Sequence, residues 1–411
     1  MSKVELLAPA GNIEKLRFAI KYGADAVYLG GTEFGLRAFA GNFTVKEMEE
    51  AVDFAHKNGA KIYVTVNIIA HNDDLESLED YLLQLEDLDI DALIIADPGI
   101  VRIARDTVPN MEIHLSTQAS NTNWSAAKFW HNFGVKRIIL ARELTLNEIN
   151  EMVKKVPEID FEAFIHGAMC VSYSGRCLLS NYLAGRDANR GQCAQPCRWE
   201  YDLIEKNRPN QKFTMKQDQK GTYIFNSKDM NTIEILPMII KTGVKSLKIE
   251  GRMKSLHYVS TVTKIYREAI DSYYKNPDDY KVKKEWIEEL NKPSHRPFFP
   301  GFYLKKPSDS RESQHVETSK YYRDYDFIGI VRDFDEEKGL ALIEQRNLFE
   351  LNEEIEIMNI KGDTFKTIIT EIIDHETKEN ISRAPHAQQL IWINVAKNVK
   401  NGSILRRKVD E

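Results

Sequence analysis

The first 275 residues repeat one rhythm, and that rhythm constrains the fold more than any other feature of the chain. Short runs rich in β-branched and aromatic residues alternate with longer amphipathic segments, several of which end at a glycine. Eight such units predict a closed (β/α)8 barrel, although a doubly wound open sheet gives the same alternation. The predicted strands are Val4–Pro9, Ala26–Gly31, Lys61–Ile68, Ala92–Asp97, Glu112–Thr117, Arg137–Arg142, Phe161–Gly167 and Ser246–Gly251.

Each of these strands is apolar in its body and becomes polar or glycine-rich where it ends. Asn67, Arg142, His166 and Glu250 are examples. Barrel enzymes assemble their active sites at this C-terminal face from the ends of several strands. The pattern therefore favours the barrel over the open sheet, and it predicts a site at the barrel mouth.

The regularity breaks once, between the seventh and eighth strands. An insertion of about 80 residues runs there from Ala168 to Lys245, where a connection of this kind normally needs far fewer. All four cysteines of the chain lie in it, beginning three residues past the end of strand seven. We therefore expect the thiols to lie over the mouth of the barrel, because long insertions of this kind are usually lids or binding elements.

Three regions are predicted along the chain. Residues 1–275 form the barrel with the insertion at 168–245, and the proline-bearing stretch 276–325 is a linker or helical extension with one helix over Val282–Asn291. From residue 326 to 411 the periodicity becomes strand-like, which predicts a small antiparallel β-barrel domain. Its predicted strands are Phe327–Val331, Leu340–Glu344, Glu353–Met358, Phe365–Ile373, Leu390–Val395 and Ile404–Arg406.

Composition restricts the environment of the protein. Its 42% hydrophobic and 29% charged residues are ordinary for a soluble globular protein, and no apolar run approaches the length of a membrane span. The N-terminus shows no signal pattern, so we expect a cytoplasmic, reducing location with free or metal-bound thiols. The net charge of −6 gives no global attraction for nucleic acid, but it leaves room for a local basic patch.

The cysteines follow the spacing C-x6-C-x15-C-x3-C, at Cys170, Cys177, Cys193 and Cys197. Four thiolates suit one [4Fe-4S] cluster, and a cubane tolerates irregular spacing. A structural zinc site is the second interpretation, although its usual C-x2-C pairs are missing. A nucleophilic cysteine with His166 as its base is the third, but no complete triad accompanies it. The spacing alone leaves all three open.

The residues around the first two cysteines carry a specific resemblance. The run from Glu162 to Ser180 matches E-x-F-x-x-G-[SA]-[LM]-C-x4-G-x-C-x-[LIVM]-S at every fixed position, and this pattern is the signature of the peptidase U32 family. The stretches Glu5–Gly11, Arg190–Trp199 and Ser246–Lys254 also resemble that family. The resemblance covers nearly the whole chain, and it is strongest to the tRNA-hydroxylating branch in its longer form with a C-terminal β domain.

This resemblance implies an activity and a cofactor. Members of the branch are implicated in converting the wobble uridine of tRNA to 5-hydroxyuridine in a prephenate-dependent manner, and relatives carry a [4Fe-4S] cluster on four cysteines. The expected partners are tRNA, prephenate and a shorter U32 paralogue. The alternatives are a U32-type peptidase, for which H-E-x-x-H and G-x-S-x-G motifs are missing, and a zinc-stabilised adaptor that binds RNA or protein.

Strand eight supplies two catalytic candidates. The alternation of two places Lys248 and Glu250 opposite the apolar Leu247 and Ile249, so the polar pair is expected to face the barrel lumen. A satisfied buried ion pair is the alternative role. His166, beside the cysteine loop, is the third catalytic candidate, as a proton donor or a neighbour of the cluster.

Two further sets of residues are candidates for binding. Arg252 and Lys254 follow strand eight, where barrels commonly bind phosphate, and a guanidinium also pairs with the carboxylates of a ligand such as prephenate. The predicted substrate-binding set also includes Arg37, Asn67 and Arg142. The alternative is that its arginines and its lysine are solvated surface cations. Arginines interleaved with aromatic residues in the insertion suit a stacked RNA base or shielding of the cluster. The predicted RNA-binding residues are Arg176, Tyr182, Arg190, Arg198 and Trp199.

Overall fold

The structure, a computed structural model, divides into two compact units. One unit comprises Met1–Lys283 with Arg296–Tyr321, and the other comprises Lys284–His295 with Tyr322–Glu411. The stretch 276–325, predicted as a linker, is thus shared between the two units. The structure describes residues 3–35, 41–170, 172–173, 177–196, 228–306, 322–395 and 397–409, together with the backbone of 203–204, 212–213, 217–218 and 221–222.

The first unit is a closed barrel of eight parallel strands. Each strand pairs with the next along the chain, and the eighth strand pairs with both the seventh and the first, which closes the ring. The barrel prediction is confirmed, and the open-sheet alternative is excluded. The strands are β1 (Glu5–Pro9), β2 (Ala26–Leu29), β3 (Lys61–Val66), β4 (Ala92–Ile95), β5 (Glu112–Leu115), β6 (Arg137–Ile139), β7 (Asp160–Ala168) and β8 (Ser246–Ile249).

Helices surround the strands, and the first turns of several of them are capped by side chains. Thr44 and Thr145 each form a reciprocal capping box with the glutamate three residues later, which satisfies otherwise unpaired N–H groups. The helices are α1 (Ile13–Lys21), α2 (Val45–Lys57), α3 (Leu78–Asp87), α4 (Pro98–Thr107), α5 (Trp124–Asn132), α6 (Leu146–Lys155), α7 (Leu179–Ala184), α8 (Leu236–Lys241) and α9 (Leu256–Lys275). Across the described residues, no helix is both long and apolar enough to cross a bilayer.

A β-bulge interrupts the pairing of β7 with β8. Phe164 pairs with Lys248, but His166 pairs with Ile249, so Ile165 is an extra residue on β7. The bulge reverses the inward and outward alternation beyond that point. Gly167 then adopts a φ of 114°, and a Cβ there would lie 2.5 Å from the Glu250 carbonyl oxygen, so glycine is required.

The insertion is tied back to β7 at the barrel mouth. Its strand Asp229–Asn231 pairs antiparallel with the last residues of β7, and it pairs parallel with Phe298–Phe299. The buried Asp229 carboxylate accepts hydrogen bonds from Arg296 Nε at 3.0 Å and Nη2 at 2.8 Å. The far end of the insertion is therefore held by both sheet pairing and a buried ion pair.

Among its described residues, the second unit is all-β apart from one helix, α10 (Lys284–Asn291). Its main sheet is antiparallel and seven-stranded, and its neighbouring strands follow the order Thr364–Ile368, Glu354–Met358, Ile404–Lys408, Tyr325–Asp335, Leu340–Gln345, Leu390–Asn394 and Ile372–Asp374. The predicted strand Phe365–Ile373 is wrong in one respect: it is two strands, because Thr370 and Glu371 donate their N–H groups to Asn394 Oδ1 instead of continuing the ladder. The strands are β9 (Tyr325–Asp335), β10 (Leu340–Gln345), β11 (Phe349–Glu350), β12 (Glu354–Met358), β13 (Thr364–Ile368), β14 (Ile372–Asp374), β15 (Arg383–Ala384), β16 (Leu390–Asn394) and β17 (Ile404–Lys408).

Candidate functional site

The lumen of the barrel contains a buried network of charges. Arg137 Nη1 lies 2.6 Å from Glu5 Oε1 and 3.4 Å from Glu162 Oε2. Lys248 Nζ lies 3.0 Å from Glu162 Oε1, and Tyr63 donates its hydroxyl to Glu5 at 2.7 Å. Glu162 is completely buried, so its two cationic partners are what make its charge tolerable.

This network decides the role of Lys248. The residue faces the lumen as predicted, but its partner is Glu162 on the neighbouring strand rather than Glu250 on its own. Its ammonium also lies 4.3 Å from the centre of the Tyr28 ring, which is within cation–π range. The satisfied buried ion pair, stated above as the alternative, is therefore what the structure contains.

The pKa values of the two partners shift in the same direction. Burial alone would raise the pKa of Glu162, but the charges of Lys248 and Arg137 outweigh it and lower that pKa, so the carboxylate is ionised. Burial lowers the pKa of Lys248 and so favours the neutral amine, while the charge and hydrogen bond of Glu162 act in the opposite direction. We take Lys248 to be protonated, because it lies between an ionised carboxylate and the face of an aromatic ring.

His166 lies outside the lumen. Its ring is buried among Tyr258, Tyr266 and Phe298, with centroid distances of 5.9, 5.6 and 5.2 Å. The bulge at Ile165 is the cause, because it turns His166 toward α9. Its Nδ1 atom also lies 3.4 Å from the Tyr266 hydroxyl, so the ring has a hydrogen-bonding neighbour, and the role as a proton donor or a neighbour of the cluster stays a prediction.

Glu250 directly follows β8 at the mouth and is half-buried. Its backbone N–H donates to the His166 carbonyl at 2.9 Å, and its own carbonyl accepts from the Tyr258 hydroxyl at 2.8 Å. The backbone of Glu250 is thus fixed by β7 and α9, which positions the carboxylate at the opening of the barrel.

Arg252 and Lys254 are held at the mouth rather than solvated. Arg252 is buried and donates to Thr65 Oγ1 at 3.0 Å and to Asn42 Oδ1 at 2.8 Å. Gly30 makes room for it, because a Cβ there would lie 2.5 Å from its Nη1 atom. Lys254 Nζ lies 3.9 Å from Asp229 and 5.2 Å from the Tyr258 ring centre.

Arg142 lies at the mouth beside the start of the cysteine loop. Its guanidinium stacks over the Phe164 ring at 4.2 Å, and Nη1 donates to the Ala168 carbonyl at 2.8 Å. Asn67 belongs to a different part of the mouth, where its Nδ2 donates to Gln118 Oε1 at 2.9 Å. The structure therefore brings Arg142, Arg252, Lys254 and Asn67 to the C-terminal face of the barrel, each with a partner of its own.

Three of the four cysteines lie in the described part of the chain as free thiols. Cys170 is exposed, and Cys177 and Cys193 are half-buried. The backbone N–H groups of Leu179 and Gln195 donate to the sulfurs of Cys177 and Cys193, each at 3.3 Å. Hydrogen bonds of this kind stabilise thiolate and tune iron–sulfur clusters, so the chemistry of these donors fits such a cluster.

The ligand set is not complete among the described residues. Within them, no three His, Cys, Asp or Glu side chains are grouped closely enough to hold a metal ion. Several predicted site residues lie outside the described residues: Arg37, Arg176, Cys197, Arg198 and Trp199.

Asn189 connects Cys177 to the barrel. Its side chain accepts the Cys177 N–H at 3.3 Å and donates to the Cys177 carbonyl at 3.2 Å. Its own carbonyl accepts the N–H of Ile69, in the loop after β3, at 3.0 Å. Arg190, predicted to bind RNA, forms an ion pair with Asp74 in the same loop, so it fastens the insertion to the barrel.

Tyr182 is 86% exposed on α7, which leaves its ring accessible for stacking as predicted for an RNA contact. The sequence patterns did not identify five residues that hold the lumen network or the barrel mouth together: Glu5, Arg137, Glu162, Gln118 and Asn189. The period of two that identified Lys248 also applies to β1, β6 and β7, and it would have placed the first three in the lumen. No comparable signal identifies Gln118 or Asn189, because both lie in three-residue 3₁₀ helices that are too short for a hydrophobic period.

Comparison with known proteins gives consistent matches over most of the chain. The sequence profile of peptidase family U32 matches residues 11–313, and that of the peptidase family U32 C-terminal domain matches residues 323–406. The chain is 44% identical over 407 residues to tRNA hydroxylation protein P1 of Bacillus subtilis (strain 168), covering 98% of this chain and 95% of that protein. It is 35% identical over 449 residues to tRNA hydroxylation protein P of Escherichia coli (strain K12), covering 99% and 97%.

A further relative has a different RNA in its name. The chain is 40% identical over 282 residues to the 23S rRNA 5-hydroxycytidine C2501 synthase of Escherichia coli (strain K12). That match covers 67% of this chain and 41% of the relative, so it concerns only part of the longer protein.

Proposed function

The chain belongs to peptidase family U32, and from this membership we propose that it is a tRNA-modifying enzyme that hydroxylates wobble uridine to 5-hydroxyuridine in a prephenate-dependent reaction. The observation that carries the proposal is the similarity, over nearly the full length of both chains, to proteins named for tRNA hydroxylation. The relative named for 5-hydroxycytidine synthesis supports the chemistry, because it too concerns a hydroxyl group at position 5 of a pyrimidine in RNA.

We propose that Cys170, Cys177, Cys193 and Cys197 hold a [4Fe-4S] cluster. The support is that the three described cysteines are free thiols and that two of them accept backbone N–H groups. When bound, such a cluster supplies one-electron redox chemistry or an iron open to a ligand.

The residues of the barrel mouth supply binding and positioning in this proposal. Arg142 and Lys254 carry positive charge at the ends of β6 and β8, where a carboxylate of prephenate or a phosphate of RNA would be attracted. Glu250 follows β8 at the same face with its backbone fixed, and it is our candidate for handling a proton at the mouth. Beneath these groups, the ion pairs of Glu162 fill the lumen.

Nucleoside analysis of tRNA tests the proposed activity. Deletion of the gene, in a strain without other U32 members, should remove 5-hydroxyuridine derivatives from bulk tRNA as measured by mass spectrometry. The intact gene should restore them and a Cys177→Ala variant should not, while an Asn181→Ala variant on the exposed face of α7 serves as the control. Unchanged nucleosides in the deletion strain would refute the proposal.

Metal analysis separates the proposal from the zinc adaptor. Protein purified without oxygen should contain iron and sulfide in equal amounts, with zinc near background. Zinc alone, without iron, would favour the adaptor instead. Cleavage of a peptide substrate by the protein, lost in a Cys170→Ala variant, would revive the peptidase.

Asn189→Ala should loosen the proposed cluster. The Asn189 side chain fixes the backbone of Cys177 from both its N–H and its carbonyl, and loss of such supporting hydrogen bonds typically costs ten- to a hundred-fold in metal affinity. We expect iron release to a chelator to become about ten-fold faster, with a shifted reduction potential. Asn189→Asp keeps the acceptor but loses the donor, so its rate of iron release should lie between those of the wild type and Asn189→Ala.

The matched control for Asn189 is Asn181→Ala, whose side chain is exposed on α7. It should release iron at the wild-type rate. Equal release rates for Asn189→Ala and the control would show that Asn189 does not position the ligand.

A further inference from the structure

Helix α7 presents an apolar face to solvent. Leu178, directly before the helix, is 73% exposed, and Tyr182 within it is 86% exposed. The Tyr182 N–H donates to the Leu178 carbonyl at 2.9 Å, so the two side chains lie one helical turn apart on the same face. Leu183, beside Tyr182, is 39% exposed. Adjacent large apolar side chains with this exposure contribute little to the fold and commonly mark a binding surface. We call Leu178, Tyr182 and Leu183 the α7 face.

The opposite side of α7 is fixed to the cysteine loop. Ser180 is completely buried, and its hydroxyl oxygen accepts the N–H of Ala194, the residue after Cys193, at 2.9 Å. At the start of the helix, the Leu179 N–H donates to the Cys177 sulfur at 3.3 Å. The α7 face is therefore held in place by the two segments that carry Cys177 and Cys193.

The same segments join α7 to the rim of the barrel mouth. Asn189 hydrogen-bonds the backbone of Cys177, and its carbonyl accepts the N–H of Ile69, in the loop after β3, at 3.0 Å. Arg190 forms an ion pair with Asp74 in that loop. Loops that follow the strands lie at the C-terminal face of a barrel, so α7 is connected to the face at which the proposed chemistry takes place.

The stretch around α7 is positively charged. Residues 170–199 contain four arginines and one acidic residue, Asp187, although the whole chain carries a net charge of −6. Arg190 pairs with Asp74 outside this stretch, and counting that carboxylate leaves four positive charges against two negative ones. Positive charge beside exposed aromatic and aliphatic side chains is complementary to single-stranded nucleic acid, which offers phosphates together with unpaired bases.

From these observations we propose that the α7 face is a stacking platform for unpaired bases of the RNA substrate. Tyr182 supplies an aromatic ring on which a base stacks, and Leu178 adds an apolar contact beside it. The arginines of the same stretch attract the neighbouring phosphates. Paired bases do not suit this surface, because their faces are already stacked within the duplex. The inference rests on the proposed function for the identity of the substrate as RNA.

Fluorescence anisotropy of labelled RNA measures the platform without any turnover. The probe is an anticodon stem–loop titrated with the cluster-loaded full chain, and the reference is a duplex of the same stem without unpaired bases. We expect Tyr182→Ala to bind the stem–loop about ten-fold more weakly than the wild type does, which is the loss typical of one stacked base. Leu178→Ala should lose about three-fold, because it removes a smaller apolar contact. Binding of the duplex should be the same for all three proteins.

The conservative variant tests the role of the ring. Tyr182→Phe keeps the aromatic face and removes only the hydroxyl, so its affinity for the stem–loop should stay within about two-fold of the wild-type value. The iron content and the melting temperature of both Tyr182 variants should match those of the wild type, because the side chain is exposed.

Exposed apolar residues elsewhere on the barrel provide matched controls. Phe129→Ala on α5 removes an aromatic ring that is 53% exposed, and Leu83→Ala on α3 removes a leucine that is 44% exposed. Both variants should bind the stem–loop as the wild type does. A general effect of losing surface apolar area would instead weaken binding by these controls as much as by Tyr182→Ala.

Several outcomes would overturn the platform. Wild-type protein that does not bind the stem–loop is one, and an affinity that Tyr182→Ala leaves unchanged is another; the α7 face would then be a contact for another protein. Equal losses in Tyr182→Phe and Tyr182→Ala would also contradict the stacking role.

The nucleoside analysis of the deletion strain decides the proposed function separately. Loss of 5-hydroxyuridine derivatives there would support that function even if the α7 face did not bind RNA. Binding of the stem–loop that depends on Tyr182, with unchanged tRNA nucleosides in the deletion strain, would support the platform and refute the proposed function.

Discussion

Replacing Glu162 with glutamine will lower the free energy of unfolding of the barrel by about 3–5 kcal/mol. The substitution removes the completely buried charge that pairs with Lys248 and supports Arg137; Arg137 keeps Glu5, but the buried ammonium of Lys248 loses its ionised partner. Breaking a buried pair on one side is costly because the remaining charge keeps its desolvation penalty. Urea denaturation of the oxygen-free protein measures the difference.

Two matched variants test this explanation for Glu162. Glu158→Gln, in the exposed turn before β7, should change the unfolding free energy by no more than about 0.5 kcal/mol. The double variant Glu162→Leu with Lys248→Met removes charge from both sides and should recover part of the loss. A loss below about 1 kcal/mol for Glu162→Gln would mean that the lumen charges are solvated, contrary to the structure.

Arg406→Met will destabilise the C-terminal unit by about 3–5 kcal/mol. The Arg406 side chain is completely buried, where Nη2 lies 2.7 Å from Glu289 Oε2 on α10 and Nε lies 3.0 Å from Glu356 Oε2 on β12. Without it, two carboxylates remain together with Lys292 as their nearest cation, at 2.7 Å and 2.8 Å. Thermal unfolding of the full chain, followed by hydrogen exchange of β12 and β17, measures the effect.

The neighbouring residue provides the control for Arg406. Arg407 is partly exposed and pairs with Glu353 at 2.7 Å, so Arg407→Met should cost no more than about 1 kcal/mol. Similar losses for the two arginines would contradict the assigned difference in burial.

The same network predicts a dependence on pH. Burial would raise the pKa of Glu356, but hydrogen bonds from Lys292 and the charge of Arg406 outweigh it and hold this pKa below its ordinary value of 4.5. A carboxyl with a depressed pKa stabilises the fold above its ordinary value, and that contribution is lost as the pH falls through the depressed value. The stability difference between wild type and Glu356→Gln should therefore be largest near neutral pH and vanish in acid.

Most of the barrel could be predicted from the sequence, because its strands are short hydrophobic runs that recur at regular intervals. The bulge on β7 could not be predicted from the sequence, because one extra residue leaves the hydrophobicity of the strand unchanged. It nevertheless moves His166 from the lumen side of the strand to the helix side. The requirement for glycine at 167 marks the same place, although only the structure shows that Glu250 and Tyr258 are what exclude a side chain there.

Only part of the candidate site could be predicted from the sequence. Alternation along β8 correctly places Lys248 in the lumen, but it cannot identify Glu162 as the partner, because that depends on the register between two strands far apart in the chain. Likewise, the spacing of the cysteines gives the number of sulfur donors but not the support that Asn189 provides to Cys177. Contacts between distant segments are set by tertiary packing, which local patterns do not encode.

The most direct test of the account is the reaction itself. Cluster-loaded protein is incubated without oxygen with prephenate and tRNA from the deletion strain, and the RNA is digested and measured by mass spectrometry. One uridine at the wobble position should gain the mass of one oxygen atom, and the product should be absent without prephenate and absent with Cys177→Ala. The proposed function would be wrong if cluster-loaded protein left the tRNA unmodified, or if protein without the cluster modified it equally well.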